Sequence, residues 1–109
     1  MQSAVIKLIC HRIMYHSMID EEMFFQWVRK IKSITKIVGE GYDLYLFFES
    51  ANIPYLDLLE ITGLFYRYKI VDMRQLQIFI NESNREKYSR KQSFWHYRVF
   101  GTKKNPKIV

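Results

Sequence analysis

Gly39-Glu40-Gly41 stands between two short runs, Ile34 to Val38 and Tyr42 to Phe48, that are rich in β-branched, aromatic and other apolar residues. Two such runs joined by a short glycine-bearing turn form a β-hairpin, so the chain is committed to an antiparallel sheet that needs cover. In the second run Leu44, Leu46 and Phe48 point to one side and Asp43, Tyr45 and Phe47 to the other. Both sheet faces therefore carry apolar or aromatic groups.

The rest of the chain supplies the cover. Ala4 to Ile13 is nearly continuous in apolar character and predicts a strand buried on both faces, hence a central one. Phe24, Trp27, Val28 and Ile31 recur at helical spacing behind Asp20, Glu21 and Glu22, and Arg29, Lys30 and Lys32 follow at the far end. Acidic start and basic finish both suit the helix dipole, so a helix is predicted over about 20–32. Asn52 and Pro54 signal a second helix start, and Leu56 to Tyr66 carries apolar residues widely around its axis, as in a helix buried on more than one side. After it, Asp72-Met73-Arg74-Gln75 resembles a capping box, with Met73, Leu76, Phe79 and Ile80 at helical spacing. A third helix over about 73–88 is expected; Leu76, Ile78 and Ile80 also alternate, which leaves a fourth strand as the alternative. The fold expected is α+β: three or four antiparallel strands with two or three helices mainly on one face. Its order is β-α-β-β-α-α or, with the fourth strand, the ferredoxin-like β-α-β-β-α-β.

A chain of 109 residues has room for one domain, predicted over 1–101, with 102–109 as a basic, frayed tail. Its longest apolar stretch without charge, Leu44 to Phe48, is far short of a membrane span. Lys7 and Arg12 interrupt the stretch a signal peptide would keep uncharged, and the single Cys10 has no internal disulfide partner. A cytoplasmic location is the expectation. The formal charge of +6 is uneven: residues 1–81 carry nine basic and nine acidic side chains, residues 82–109 eight and two. A neutral body thus ends in a basic segment, whose partner is an acidic surface, a nucleic acid or solvent alone.

No catalytic set is apparent. His11, His16 and His96 are the only histidines, and no spacing joins two of them into an acid–base pair. Cys10 beside His11 lacks the second ligand pair of a tetrahedral metal site, and there is no glycine-rich phosphate loop. Neither catalytic nor metal nor cofactor-binding residues are assigned. The basic segment does interleave Arg85, Lys87, Arg90, Lys91, Arg98, Lys103, Lys104 and Lys107 with Tyr88, Phe94, Trp95 and Tyr97, a mixture in which cations meet phosphates while rings stack on bases. The aromatic patch at 94–100 is alternatively a cover for Tyr45 and Phe47, making both sets core.

Two resemblances bear on function. Gly41-Tyr42-Asp43-Leu44-Tyr45-Leu46-Phe47 resembles the third-strand signature of RNA-recognition motifs, which implies RNA stacked on the sheet. It departs where that signature has a basic residue (Glu40), a small one (Asp43) and a stacking ring (Leu44), and the first strand has no companion aromatic. Through its size, mixed topology and segments such as Phe24-Phe25-Gln26-Trp27, Leu64-Phe65-Tyr66-Arg67-Tyr68 and Phe94-Trp95-His96-Tyr97-Arg98, the chain also resembles the small immunity proteins that bacteria encode beside contact-dependent growth-inhibition toxins. That resemblance implies a cytoplasmic antitoxin that binds a cognate toxin or enzyme and covers its active surface. Arg85, Arg90, Trp95, Tyr97 and Arg98 are the candidate partner contacts, since interface anchors are drawn mainly from arginine and aromatic residues.

Overall fold

The computed structural model describes residues 5–101. The predicted tail at 102–109 lies outside them. The first three strands and two long helices follow one another as β1 (Ile6–His11), α1 (Met18–Lys30), β2 (Ile34–Glu40), β3 (Asp43–Phe48) and α2 (Tyr55–Arg67). A 3-10 segment, Met73–Phe79, and two short helices, α3 (Arg85–Tyr88) and α4 (His96–Phe100), complete the chain. The class is α+β, with one antiparallel sheet of order β1-β3-β2.

The hairpin forms as its sequence dictates. Glu40 pairs with Asp43 across the turn, and Gly41 takes φ 62°, a left-handed conformation that glycine adopts without steric cost. Thr35 is the extra residue of a bulge between Ile34 and Lys36, and its hydroxyl donates to the Phe47 carbonyl oxygen at 3.2 Å.

The first strand differs from expectation. It is an edge strand, and the central place belongs to β3, which pairs β1 from Ile6–Phe48 to His11–Asp43. Leu8 and Cys10 are buried while Lys7, Ile9 and His11 face outward, so β1 has one wet face despite its apolar run. Its free edge is blunted by a side chain. Gln75 mimics a neighbouring strand at one residue, accepting from the Ile9 N–H and donating to the Ile9 carbonyl, both at 2.8 Å. Gln75→Ala is expected to expose both groups and speed hydrogen exchange of the Ile9 amide about tenfold, consistent with a hydrogen-bond pair worth about 1 kcal/mol or more. An unchanged Ile9 exchange rate would show that the clamp contributes nothing.

The helices cover one face only. Phe24 and Val28 from α1, Ile31 just past its end, and Leu58, Ile61 and Phe65 from α2 close over Leu8, Cys10, Leu46 and Phe48 of the sheet. Ser17 caps α1, its hydroxyl accepting from the Asp20 N–H at 3.1 Å, so the helix starts two residues before the acidic run. Asp57 of α2 accepts from both the backbone N–H and the hydroxyl of Ser33, fixing the helix to the start of β2. On the other face Tyr45 and Phe47 lie in a row with Lys7, Ile9, Lys36 and Val38, and none of these joins the core. The segment at 94–100 does not cover them; it packs against α2 and Tyr88.

Residues 73–88 form neither the expected long helix nor a fourth strand, and the sheet has three strands among the described residues. The reason is a three-residue repeat. Met73, Leu76 and Phe79 are all buried, and at 3.0 residues per turn they stack on one face of a 3-10 segment, whereas α-helical winding would fan them out. Asn81 and Asn84 then close the chain into a turn: Asn81 Oδ1 accepts from the Ser83 and Asn84 N–H groups, and the buried Asn84 amide donates to the Phe79 carbonyl at 3.1 Å.

Candidate interaction surface

The structure divides the sequence-derived contacts between the two ends of α2. At its C-terminal end Phe94 meets Tyr66 edge-on, centroids 4.8 Å apart, and the Arg98 guanidinium lies 5.5 Å from the same ring. At the N-terminal end Lys87, on α3 with Arg85, lies 4.3 Å from the Tyr55 ring, and the charge of Arg90 also acts on Tyr55. Tyr55 and Tyr66 are separated by about 16 Å along the helix axis at the usual rise per residue. Arg85 and Arg90 therefore do not share a patch with Arg98.

Trp95 has a different position again. Its ring stacks on Tyr88 at 5.3 Å and its indole N–H donates to the Tyr88 carbonyl at 3.1 Å, so it anchors the segment on which the others are displayed. Tyr88 is fully buried, and its hydroxyl is 2.7 Å from Thr62 Oγ1, which itself donates to the Leu58 carbonyl. With its only proton spent there, Thr62 accepts from Tyr88. Beyond this anchor the side chains open to solvent: Phe94 is 57% exposed, Tyr97 62% and Tyr66 39%. Large rings grouped in water mark a surface that meets something, and the Arg98 guanidinium lies over one of the three, Tyr66. Sequence reading missed Phe94 and Tyr66 as a pair, because a contact between positions on α2 and beyond α3 leaves no periodic trace.

Tyr66 also leads into a cleft. A space of about 700 Å³ is lined by Met14, His16, Asp20, Tyr66, Arg67 and Lys69 around Tyr68. It adjoins a second, of about 390 Å³, that shares Asp20, Arg67 and Tyr68 and is walled by Met23, Trp27 and Lys30. Tyr68 forms the floor, its ring edge-on to Phe24 at 4.9 Å and its hydroxyl donating to Asp20 Oδ1 at 3.0 Å. Burial, and then this bond to Asp20, raise the Tyr68 pKa. Asp20 Oδ2 accepts from the His16 N–H at 2.8 Å; this bond first, and the Tyr68 hydroxyl after it, hold the Asp20 carboxyl below the ordinary carboxylate range. Trp27 lies against Gly63 of α2, with its indole N–H donating to Glu60 at 2.9 Å. Met18 and Ile19 project into solvent from the first turn of α1.

The end of α2 shapes this cleft. The Ile70 N–H bonds to the Phe65 carbonyl at 2.9 Å and the Lys69 N–H to the Tyr66 carbonyl at 3.2 Å, the pairing of a Schellman cap. Its left-handed position, where glycine is the usual residue, holds Lys69 at φ 54°.

The three histidines do not meet in this surface. His11 pairs with Asp43 on the open sheet face, His16 lines the cleft, and His96 packs on Phe100 of α4. Among the described residues no cluster of histidine, cysteine and carboxylate side chains has the arrangement to hold a metal ion, and no helix is long and apolar enough to cross a membrane. No family model matches the chain, and comparisons with curated proteins and with solved structures likewise find no match.

Proposed function

We propose that this chain acts in the cytoplasm as a protein-binding inhibitor of the immunity or antitoxin type, without catalysis of its own, neutralising a toxin or enzyme by covering its active surface. The observation that carries the proposal is the exposed set of Tyr66, Phe94 and Tyr97, with Arg98 over Tyr66 and Trp95 holding the segment in place. Rigid aromatic anchors beside an arginine are what a hot spot is made of, and the exposed Met14, which lines the cleft with Tyr66, adds an adaptable apolar margin. Phe94→Ala and Arg98→Ala are each expected to weaken capture of the partner from the source cell by about 2 kcal/mol, roughly thirtyfold. Arg85→Ala and Arg90→Ala, at the other end of α2, act as peripheral charges and change mainly the salt dependence of association. Wild-type affinity in both the Phe94 and Arg98 variants, measured by titration calorimetry, would remove the proposed surface.

A second reading, binding of single-stranded nucleic acid, is favoured by one observation. On the open sheet face Lys7 Nζ lies 4.8 Å from the Tyr45 ring and Lys36 Nζ 5.4 Å from the Phe47 ring, a stacking platform flanked by cations. Glu40 and Asp43 continue the same face and oppose a phosphate track, which places this reading second. A mobility shift that fades steeply with salt and is lost with Tyr45→Ala and Phe47→Ala would bring it forward.

A further inference from the structure

The cleft beside the aromatic patch has a charge imbalance that its own residues do not resolve. Lys30, Arg67 and Lys69 line it; Arg67 acts on Asp20 and hydrogen-bonds Tyr68, while Lys30 and Lys69 form no salt bridge among the described residues. Its one carboxylate, Asp20, is held from within, one oxygen by the His16 N–H and the other by the Tyr68 hydroxyl. Its walls are apolar and adaptable, made by Met14, Met23 and Trp27. Resting on the reading of the chain as a protein binder, we propose that this cleft takes an extended segment of the partner in which acidic side chains alternate with large apolar ones, the carboxylates meeting Lys69, Arg67 and Lys30 and the apolar groups entering between the methionines and Trp27.

Lys69 gives the strongest indication. A side chain in the left-handed region is strained where glycine is not, and the cap around it would be served better by glycine. A lysine held there at a cost to the fold is explained when its charge is used at the cleft. The occupant is a peptide rather than a nucleic acid because methionine walls suit aliphatic side chains better than base planes.

The test uses the full chain and three probes: a capped eight-residue peptide of alternating glutamate and leucine, the same peptide with glutamine in place of glutamate, and an oligothymidylate. Trp27 reports the cleft through its indole N–H resonance, and Trp95, the only other tryptophan, reports the anchor. The expected result is that the glutamate peptide shifts the Trp27 signal and leaves that of Trp95 in place, while the other two probes shift neither. Lys69→Gly should raise the melting temperature by about 4 °C and weaken the glutamate peptide about threefold. Arg67→Gln should weaken the peptide as well. Equal binding of the glutamine peptide, a Trp27 shift with the oligothymidylate, or undiminished peptide binding by a stabilised Lys69→Gly chain would each overturn the cleft assignment. The two readings separate cleanly: loss of partner capture by Phe94→Ala alone, with Lys69→Gly capturing normally, leaves the protein-binding surface standing and removes the cleft segment from it.

Discussion

Replacing Tyr88 with alanine is expected to cost about 3–5 kcal/mol, the range for deleting a fully buried large ring, and to detach the segment that follows it. Tyr88 is the joint between the body and the C-terminal display. Its ring touches Tyr55, Trp95 and Phe100, and its hydroxyl donates to the buried Thr62. Against a typical margin of 5–15 kcal/mol the loss is a large fraction of the whole. Tyr88→Phe keeps the ring and removes only the donor to Thr62, so about 1–2 kcal/mol is expected there. Urea unfolding distinguishes the two, with an alanine variant as stable as the phenylalanine one contradicting the packing role.

Alkaline unfolding is the second large effect, and it comes from the middle of the core. Burial pushes the Cys10 thiol from 9.0 to about 12 and the Tyr88 phenol from 10.0 to about 12. Both groups are neutral in the folded chain until high pH, whereas the unfolded chain ionises them near their ordinary values. The stability they contribute is whole below pH 9 and is lost as pH rises toward 12, at about 1.4 kcal/mol per unit of separation. Together this is about 7 kcal/mol, enough to unfold a domain of ordinary stability. Far-UV circular dichroism should fall in that window, and Cys10→Val should delay the onset to about pH 10, where Tyr88 begins to act. A native spectrum at pH 12 would contradict the burial of both groups.

What the sequence disclosed follows from the physics of each element. The α1 face of Phe24, Val28 and Ile31 was legible because a two-sided amphipathic helix repeats itself over three turns. The hairpin was legible because a glycine turn fixes its register locally. For β1 the apolar run concealed an alternation already present in Lys7 and His11, and Ile9 on the wet side completed the disguise. The Gln75 clamp on its edge joins positions far apart in sequence, so no local pattern announces it. The stretch after α2 was ambiguous because Met73, Leu76 and Phe79 fit both an α-helix and the tighter 3-10 winding, and only tertiary packing decides between them.

The candidate surface was partly legible for similar reasons. Composition picked out Tyr97 and Arg98, both of which stand on α4 beside the exposed rings. It also grouped Trp95 with them, although its stacking on Tyr88 makes it an anchor, and it joined Arg85 and Arg90 to a patch from which α2 separates them. The cleft left no trace of its own, because Asp20, Arg67 and Lys69 acquire a common purpose only when α1 and the end of α2 are brought together around Tyr68.

The central claim is that the chain meets a protein partner with the side bearing Tyr66, Phe94, Tyr97 and Arg98. Amide hydrogen exchange of the chain alone and with its captured partner tests this most directly. Slowed exchange should concentrate at the end of α2, residues 66–69, and along 94–98, with the β-strand face carrying Tyr45 and Phe47 unchanged. Protection confined to β1, β2 and β3, with residues 94–98 exchanging as freely as before, would contradict it.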